Sequence, residues 1–138
     1  MDADSNLVIG LLEAIATSNE ELVSLSEMLR SHPSVIRVLR GFDCRNYRTG
    51  VRLEWYVDAE LRSGHGMCWS VDVSWAEANW VISSKISINR NGDQGQDVLK
   101  EFADKSAQTL KDFISQLRDT MSDLAKSPIN IELVTANG

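Results

Sequence analysis

The stretch "VRLEWYVDAELRSGHGMCWSVDVSW", residues 51–75, alternates apolar and polar side chains almost without interruption. Val51, Leu53, Trp55, Val57, Ala59 and Leu61 fall on one face, and Arg52, Glu54, Tyr56, Asp58, Glu60 and Arg62 on the other. Period-2 alternation of this kind predicts a strand with one buried and one wet face. "SGHG" at 63–66 supplies turn residues, as a hairpin requires. Met67, Trp69, Val71, Val73 and Trp75 then alternate with Cys68, Ser70, Asp72 and Ser74.

Downstream, "AEAN" makes a second short connection, and a third strand follows with Trp80, Ile82, Ser84, Ile86 and Ile88 on one side. All four tryptophans (Trp55, Trp69, Trp75, Trp80) fall on the apolar side of this meander. Burying one such side chain contributes roughly 4–6 kcal/mol at about 25 cal/mol per Å². A stacking platform for a ligand would place the rings among Lys and Arg on the polar face. The tryptophans are therefore expected in the core, with Trp75 and Trp80, beside a connection, partly exposed.

Outward from the meander the pattern changes to helical spacing. Leu7, Val8, Leu11, Leu12 and Ile15 repeat in that way, with Asp4 or Ser5 as a candidate N-cap. Ser18 followed by Glu21 has capping-box spacing, which leaves residues 4–31 open between one helix and two. Pro33 ends the helical segment. "SVIRVLRGF" (34–42) leans towards strand on its β-branched content, against a short helix. "DCRNYRTG" (43–50) reads as a loop.

Beyond the polar "NRNGDQGQD", the residues Leu99, Ala103, Ser106, Leu110, Phe113, Leu117, Met121 and Leu124 step by four and three. Val98, Phe102 and Ile114 widen the stripe, so an amphipathic helix is expected over 96–125. A tail, 126–138, follows Ser127-Pro128, and "INIELV" within it has the composition of a short final strand. The expected fold is α+β in a single domain, 1–138. A three- to four-stranded antiparallel meander within 34–90 is packed on one face by the N-terminal helix (or two) and the long C-terminal helix.

Composition narrows the function classes. The chain has 138 residues and a formal net charge of −6. That charge argues against direct nucleic-acid binding, which needs a basic surface to neutralise phosphates. It suits a basic protein partner, whose encounter an acidic surface accelerates. The acidic start and the lack of a long apolar run predict neither a signal peptide nor a membrane span. Two scattered cysteines, Cys44 and Cys68, predict a reduced, cytoplasmic protein rather than a disulfide scaffold.

No motif specifies a reaction. His65 and Cys68 lie near Asp72, but a nucleophilic pair needs a base oriented by a third group, and a histidine in a Gly-flanked turn is expected on the surface. Two histidines and two cysteines far apart give no zinc spacing. Asn89, Asn91, Asp93 and Asp97 resemble a calcium loop only faintly, with Gly95 misplaced and Lys100 where the closing Glu belongs. No P-loop, dinucleotide fingerprint or nucleophile elbow occurs. Neither a catalytic residue nor a cofactor is expected.

Charge placement is more informative. Residues 1–29 carry six acids and no Lys or Arg, whereas 37–52 carries Arg37, Arg40, Arg45, Arg48 and Arg52 against Asp43 alone. On the wet face, Glu54, Asp58, Glu60 and Asp72 surround Tyr56, as carboxylates around an aromatic anchor do at protein interfaces. The competing explanation is a solvated face whose charges pair across strands.

The tryptophan-rich meander "LEWYVDAELRSGHGMCWSVDVSWAEANWVISSKISI" in a small acidic α+β chain resembles the bacterial immunity proteins of polymorphic toxin and contact-dependent growth inhibition systems. Among these it is similar to the tryptophan-containing TriTu-type set, over residues 50–90. The resemblance implies function by binding: a non-catalytic inhibitor that neutralises a cognate toxin domain, often a nuclease with a basic cleft. The partner-binding residues expected are Glu54, Tyr56, Asp58, Glu60 and Asp72, with the acidic first helix as a second surface. The alternative class is a type III secretion chaperone, also small and acidic, which binds an extended effector segment as a dimer. The oligomeric state, monomer or homodimer, is left open between the two.

Overall fold

In the computed structural model, residues 3–48, 50–76, 79–89, 96–127 and 130–131 are described. The chain runs α1 (Ala3–Arg30), β1 (Val35–Tyr47), β2 (Gly50–Leu61), β3 (Gly66–Ala76), β4 (Asn79–Asn89), β5 (Gln96–Ala107) and α2 (Leu110–Lys126). The five strands form one antiparallel sheet in sequence order. Both helices lie against the same side of it, an α+β arrangement.

The N-terminal segment is one helix, not two. Ser18 does not cap a new helix. Its hydroxyl is buried and donates to the Ala14 carbonyl one turn back at 2.7 Å, and Ser26 does the same to Leu22 at 2.8 Å. Back-bonding of this kind lets a serine sit inside a helix without exposing its oxygen. Ala14, Ser18, Leu22, Leu25 and Leu29 then form one buried stripe. Helix α1 ends where Ser31 and His32 N–H donate back to Glu27 and Leu29, and Pro33 turns the chain into β1.

Residues 35–42 are strand, and the strand continues to Tyr47 through most of the segment expected to be a loop. The pairing explains the extension. From Arg37 to Tyr47, β1 lies in unbroken register with β2, so its backbone groups find partners that a loop would leave to water. Within 34–90 the described residues therefore form four strands, the larger of the two expected numbers, and the fifth strand of the sheet lies beyond that range.

The larger correction concerns residues 96–107, which form β5 and not the first half of a helix. Two register shifts against β4, between Ser84/Lys85 and Ile86/Ser87, mark bulges in this pairing. Each bulge adds a residue to one strand and breaks strict alternation. Leu99 and Phe102 therefore both pack against the core although they are three apart, a spacing that imitates a helix. Helix α2 begins only after Thr109, whose Oγ1 accepts from the Asp112 N–H at 3.2 Å. From there the expected stripe holds, with Phe113, Ile114, Leu117, Met121 and Leu124 buried.

The core lies between this helix pair and one sheet face. Trp55, Trp69, Val57, Val71, Val73, Ile82, Ile86 and Ile88 are buried there. Trp80 is half-buried and stacks on Phe113 at 4.3 Å between ring centroids, and Trp75, more exposed, leans on Trp80 at 6.0 Å. The helices run in the same direction: Gly10 lies beside Ile114, and Glu13 reaches Arg118 at 3.9 Å. Of the expected tail strand, only Asn130 and Ile131 are described, and Ile131 is buried. Most of the calcium-like loop, residues 90–95, lies outside the described residues.

Candidate functional site: the open face of the sheet

Opposed residues in an antiparallel pair share a face, so the register assigns the wet side directly. Asp43, Glu54 and Asp72 form one row across β1, β2 and β3. Gly41, Tyr56, Ser70 and Lys85 form the next, and Leu39, Asp58, Cys68 and Ser87 the one after. No helix of the described chain packs on these rows.

The five residues expected to bind a partner all lie on this face, but they are not equivalent. Glu54, Tyr56, Asp58 and Asp72 line one shallow groove of about 360 Å³, together with Arg52 and Lys85. Glu60 lies outside it, beside a neighbouring depression, and is ion-paired with Arg37 at 3.1 Å. Tyr56 is half-buried rather than free, because its ring fills the space above Gly41 where a Cβ would stand. A tyrosine folded over a strand glycine covers backbone that would otherwise face water. It also arrives at any interface with its side-chain rotation already restricted.

The carboxylates are held by Arg52, whose guanidinium donates to Asp72 Oδ1 through two nitrogens at 2.8 and 3.2 Å and approaches Glu54 at 3.8 Å. Burial pushes the Glu54 carboxyl above its ordinary range. The charge of Asp72 and a hydrogen bond with it push in the same direction, Arg52 opposes, and Asp43 adds to the rise. The row is thus crowded with negative charge that one arginine does not fully offset.

One residue departs from expectation. His65 is buried, not a surface turn residue, and its Nδ1 lies 2.7 Å from Ser63 Oγ. The Leu61 N–H donates to the His65 carbonyl at 2.9 Å, which closes a tight turn around Gly64 at φ 92° and extends the alternation of β3 back by one residue. His65 therefore shares the inward parity of Met67 and Trp69. Cys68 points to the opposite, open face, and its thiol is pushed well above its ordinary range by burial, by a hydrogen bond to Asp58 and by nearby carboxylate charge. A histidine and a high-pKa thiol on opposite sides of a strand do not make a nucleophilic pair.

Sequence reasoning missed Asp43, Arg52 and Lys85 as members of the site. Asp43 was hidden by the loop expectation, and Lys85 was legible in the alternation of Ser83, Lys85 and Ser87. Among the described residues no group of three His, Cys, Asp or Glu side chains is placed to hold a metal ion, and no helix is long and apolar enough to cross a membrane. No protein-family model matches the chain, nor does any curated protein or solved structure.

Proposed function

We propose that the chain is a non-catalytic protein-binding inhibitor, an immunity protein that neutralises a cognate toxin domain in the bacterial cytoplasm through the open face of its sheet. The observation that carries this proposal is the coincidence of a firmly placed aromatic, Tyr56 on Gly41, with the under-neutralised carboxylates Glu54, Asp58 and Asp72 in one groove. Aromatic anchors at the centre of a charged rim concentrate binding energy. The partner is a basic domain, such as a nuclease whose cleft is built for phosphates, and a close pair of opposite charges across such an interface contributes several kcal/mol. The protein itself performs no reaction and needs no cofactor.

The test is co-expression with the toxin domain encoded beside it, followed by purification of the complex and a survival assay. Glu54→Lys with Asp58→Lys is expected to abolish protection while the circular dichroism spectrum and melting curve stay native. Full protection by that variant sinks the assignment of the surface, and no complex with the neighbouring toxin domain sinks the function.

A second proposal, the secretion chaperone, draws support from the exposed apolar side chains Val8, Ile9 and Leu12 on α1. It requires a tight dimer that uses this stripe. Light scattering separates the two: a monomer that binds a folded domain leaves no room for the chaperone.

A further inference from the structure

The arginine-rich segment is not part of the open-face groove, except through Arg52, and most of it runs along β1, an edge of the sheet. The two edges differ. Two bulges interrupt β5, a common way to blunt an edge against unwanted pairing. In β1 the only register shift is at its start, between Val35 and Arg37, and the remaining strand is regular. Among the described residues no strand pairs with its outer side, so a row of backbone donors and acceptors is presented there.

The side chains flanking that row are apolar and cationic. Ile36, Leu39 and Phe42 are each more than half exposed, the last resting on Trp55 at 5.1 Å between ring centroids. Arg40 and Arg45 are exposed and make no ion pair among the described residues, whereas Arg37 is neutralised by Glu60. Arg45 lies on the open face opposite Arg52, and Arg40 on the helix side opposite Val57. On the helix side Arg40 is the same-face neighbour of Phe42, whereas on the open face Leu39 and Arg45 stand at the two ends of the segment, with Gly41 and Asp43 between them.

We propose that β1 is a docking edge for an extended acidic strand of a partner protein, which adds to the sheet antiparallel to β1. Main-chain hydrogen bonds supply affinity in strand addition, and alternate side chains supply selectivity. Here the selectivity is for carboxylates opposite Arg40 and Arg45 and apolar side chains opposite Leu39 and Phe42. A second copy of this chain is the poorer occupant, because pairing β1 with itself brings two arginine-rich strands together, and like charges in close opposition are unfavourable. The main-chain row of β1 borders the carboxylate groove at Asp43, but the peptide experiment below involves no toxin domain, so its failure and the failure of the toxin-inhibitor function are distinguishable.

The probe is a nine-residue peptide on a threonine background, with glutamates set opposite Arg40 and Arg45 and valines opposite Leu39 and Phe42. It is titrated into the full isotope-labelled chain while backbone amide shifts are followed. The expected shifts centre on Leu39–Arg45, with about tenfold tighter binding than the same peptide carrying lysines, and weaker binding at high salt. Arg40→Glu with Arg45→Glu should invert that preference, and the milder Arg40→Gln with Arg45→Gln should erase it if the reversal unfolds the chain. Methylation of alternate peptide nitrogens should abolish binding. Equal affinity for the two peptides, undiminished binding of the methylated one, shifts centred away from β1, absence of binding up to about millimolar peptide, or a dimer in solution paired through β1 would each overturn the proposal.

Discussion

Tyr56 and Gly41 are locked together across the β1–β2 pair: the phenol ring of one occupies the place where any side chain of the other would begin. Glycine at 41 is thus required by a neighbour. Gly41→Ala is expected to cost about 1–3 kcal/mol, the usual range for overpacking, in urea denaturation. In a Tyr56→Ala background the same substitution should cost much less. Equal costs in the two backgrounds would show that the ring does not constrain position 41.

The raised pKa of Glu54 makes its effect on stability depend on pH. Burial and Asp72 disfavour its charged form in the folded state, so the folded chain holds this proton more tightly than the unfolded chain. The penalty is absent well below the ordinary carboxyl value of about 4.5 and grows as pH rises through the raised value. Glu54→Gln should therefore be more stable than the parent at pH 7.5, by a few tenths to about 1 kcal/mol, the range for relieving a like-charge pair across strands. The advantage should vanish near pH 3.5. Stability differences from denaturant melts at the two pH values measure this.

The two cysteines should react at very different rates. Cys44 is exposed, whereas Cys68 is partly covered and its thiol is held protonated by burial and by Asp58. Since the thiolate is the reactive form, iodoacetamide at pH 7.5 should modify Cys44 first and leave Cys68 largely intact, as peptide mass mapping will report. Asp58→Asn should speed the modification of Cys68. Comparable rates at both cysteines in the parent would contradict the assigned environment.

Thr109 is the start signal of α2, through its bond to the Asp112 N–H. Thr109→Ala should lower stability by about 1 kcal/mol, and Thr109→Ser should restore most of it. The parallel change Ser18→Ala, at a position inside α1 that caps nothing, should be much milder. If Ser18→Ala costs as much as Thr109→Ala, the back-bonded serine matters more than its geometry implies.

The meander was legible because alternation is a local property. Each apolar residue from Val51 to Trp75 declares its face without reference to the rest of the chain, and the four tryptophans fell where parity placed them. Residues 96–107 were not legible because bulges at a strand edge produce a three-residue spacing, and only the outer side of β4 turns that segment into a strand. His65 was misjudged for a related reason: flanking glycines describe a turn, but not which side of the sheet the turn tucks beneath.

For the candidate site the division is similar. The sequence by itself determined that Glu54, Tyr56, Asp58 and Glu60 share one wet face and that Asp72 falls on the polar side of the next strand, because alternation within each strand separates polar from apolar side chains. Tertiary structure alone decided that Asp43 joins Glu54 and Asp72, that Glu60 is taken up by Arg37, and that Tyr56 is held down on Gly41. Those are relations between strands, and register between strands is set by turns, bulges and the packing of the whole sheet against its helices. No single strand carries that information.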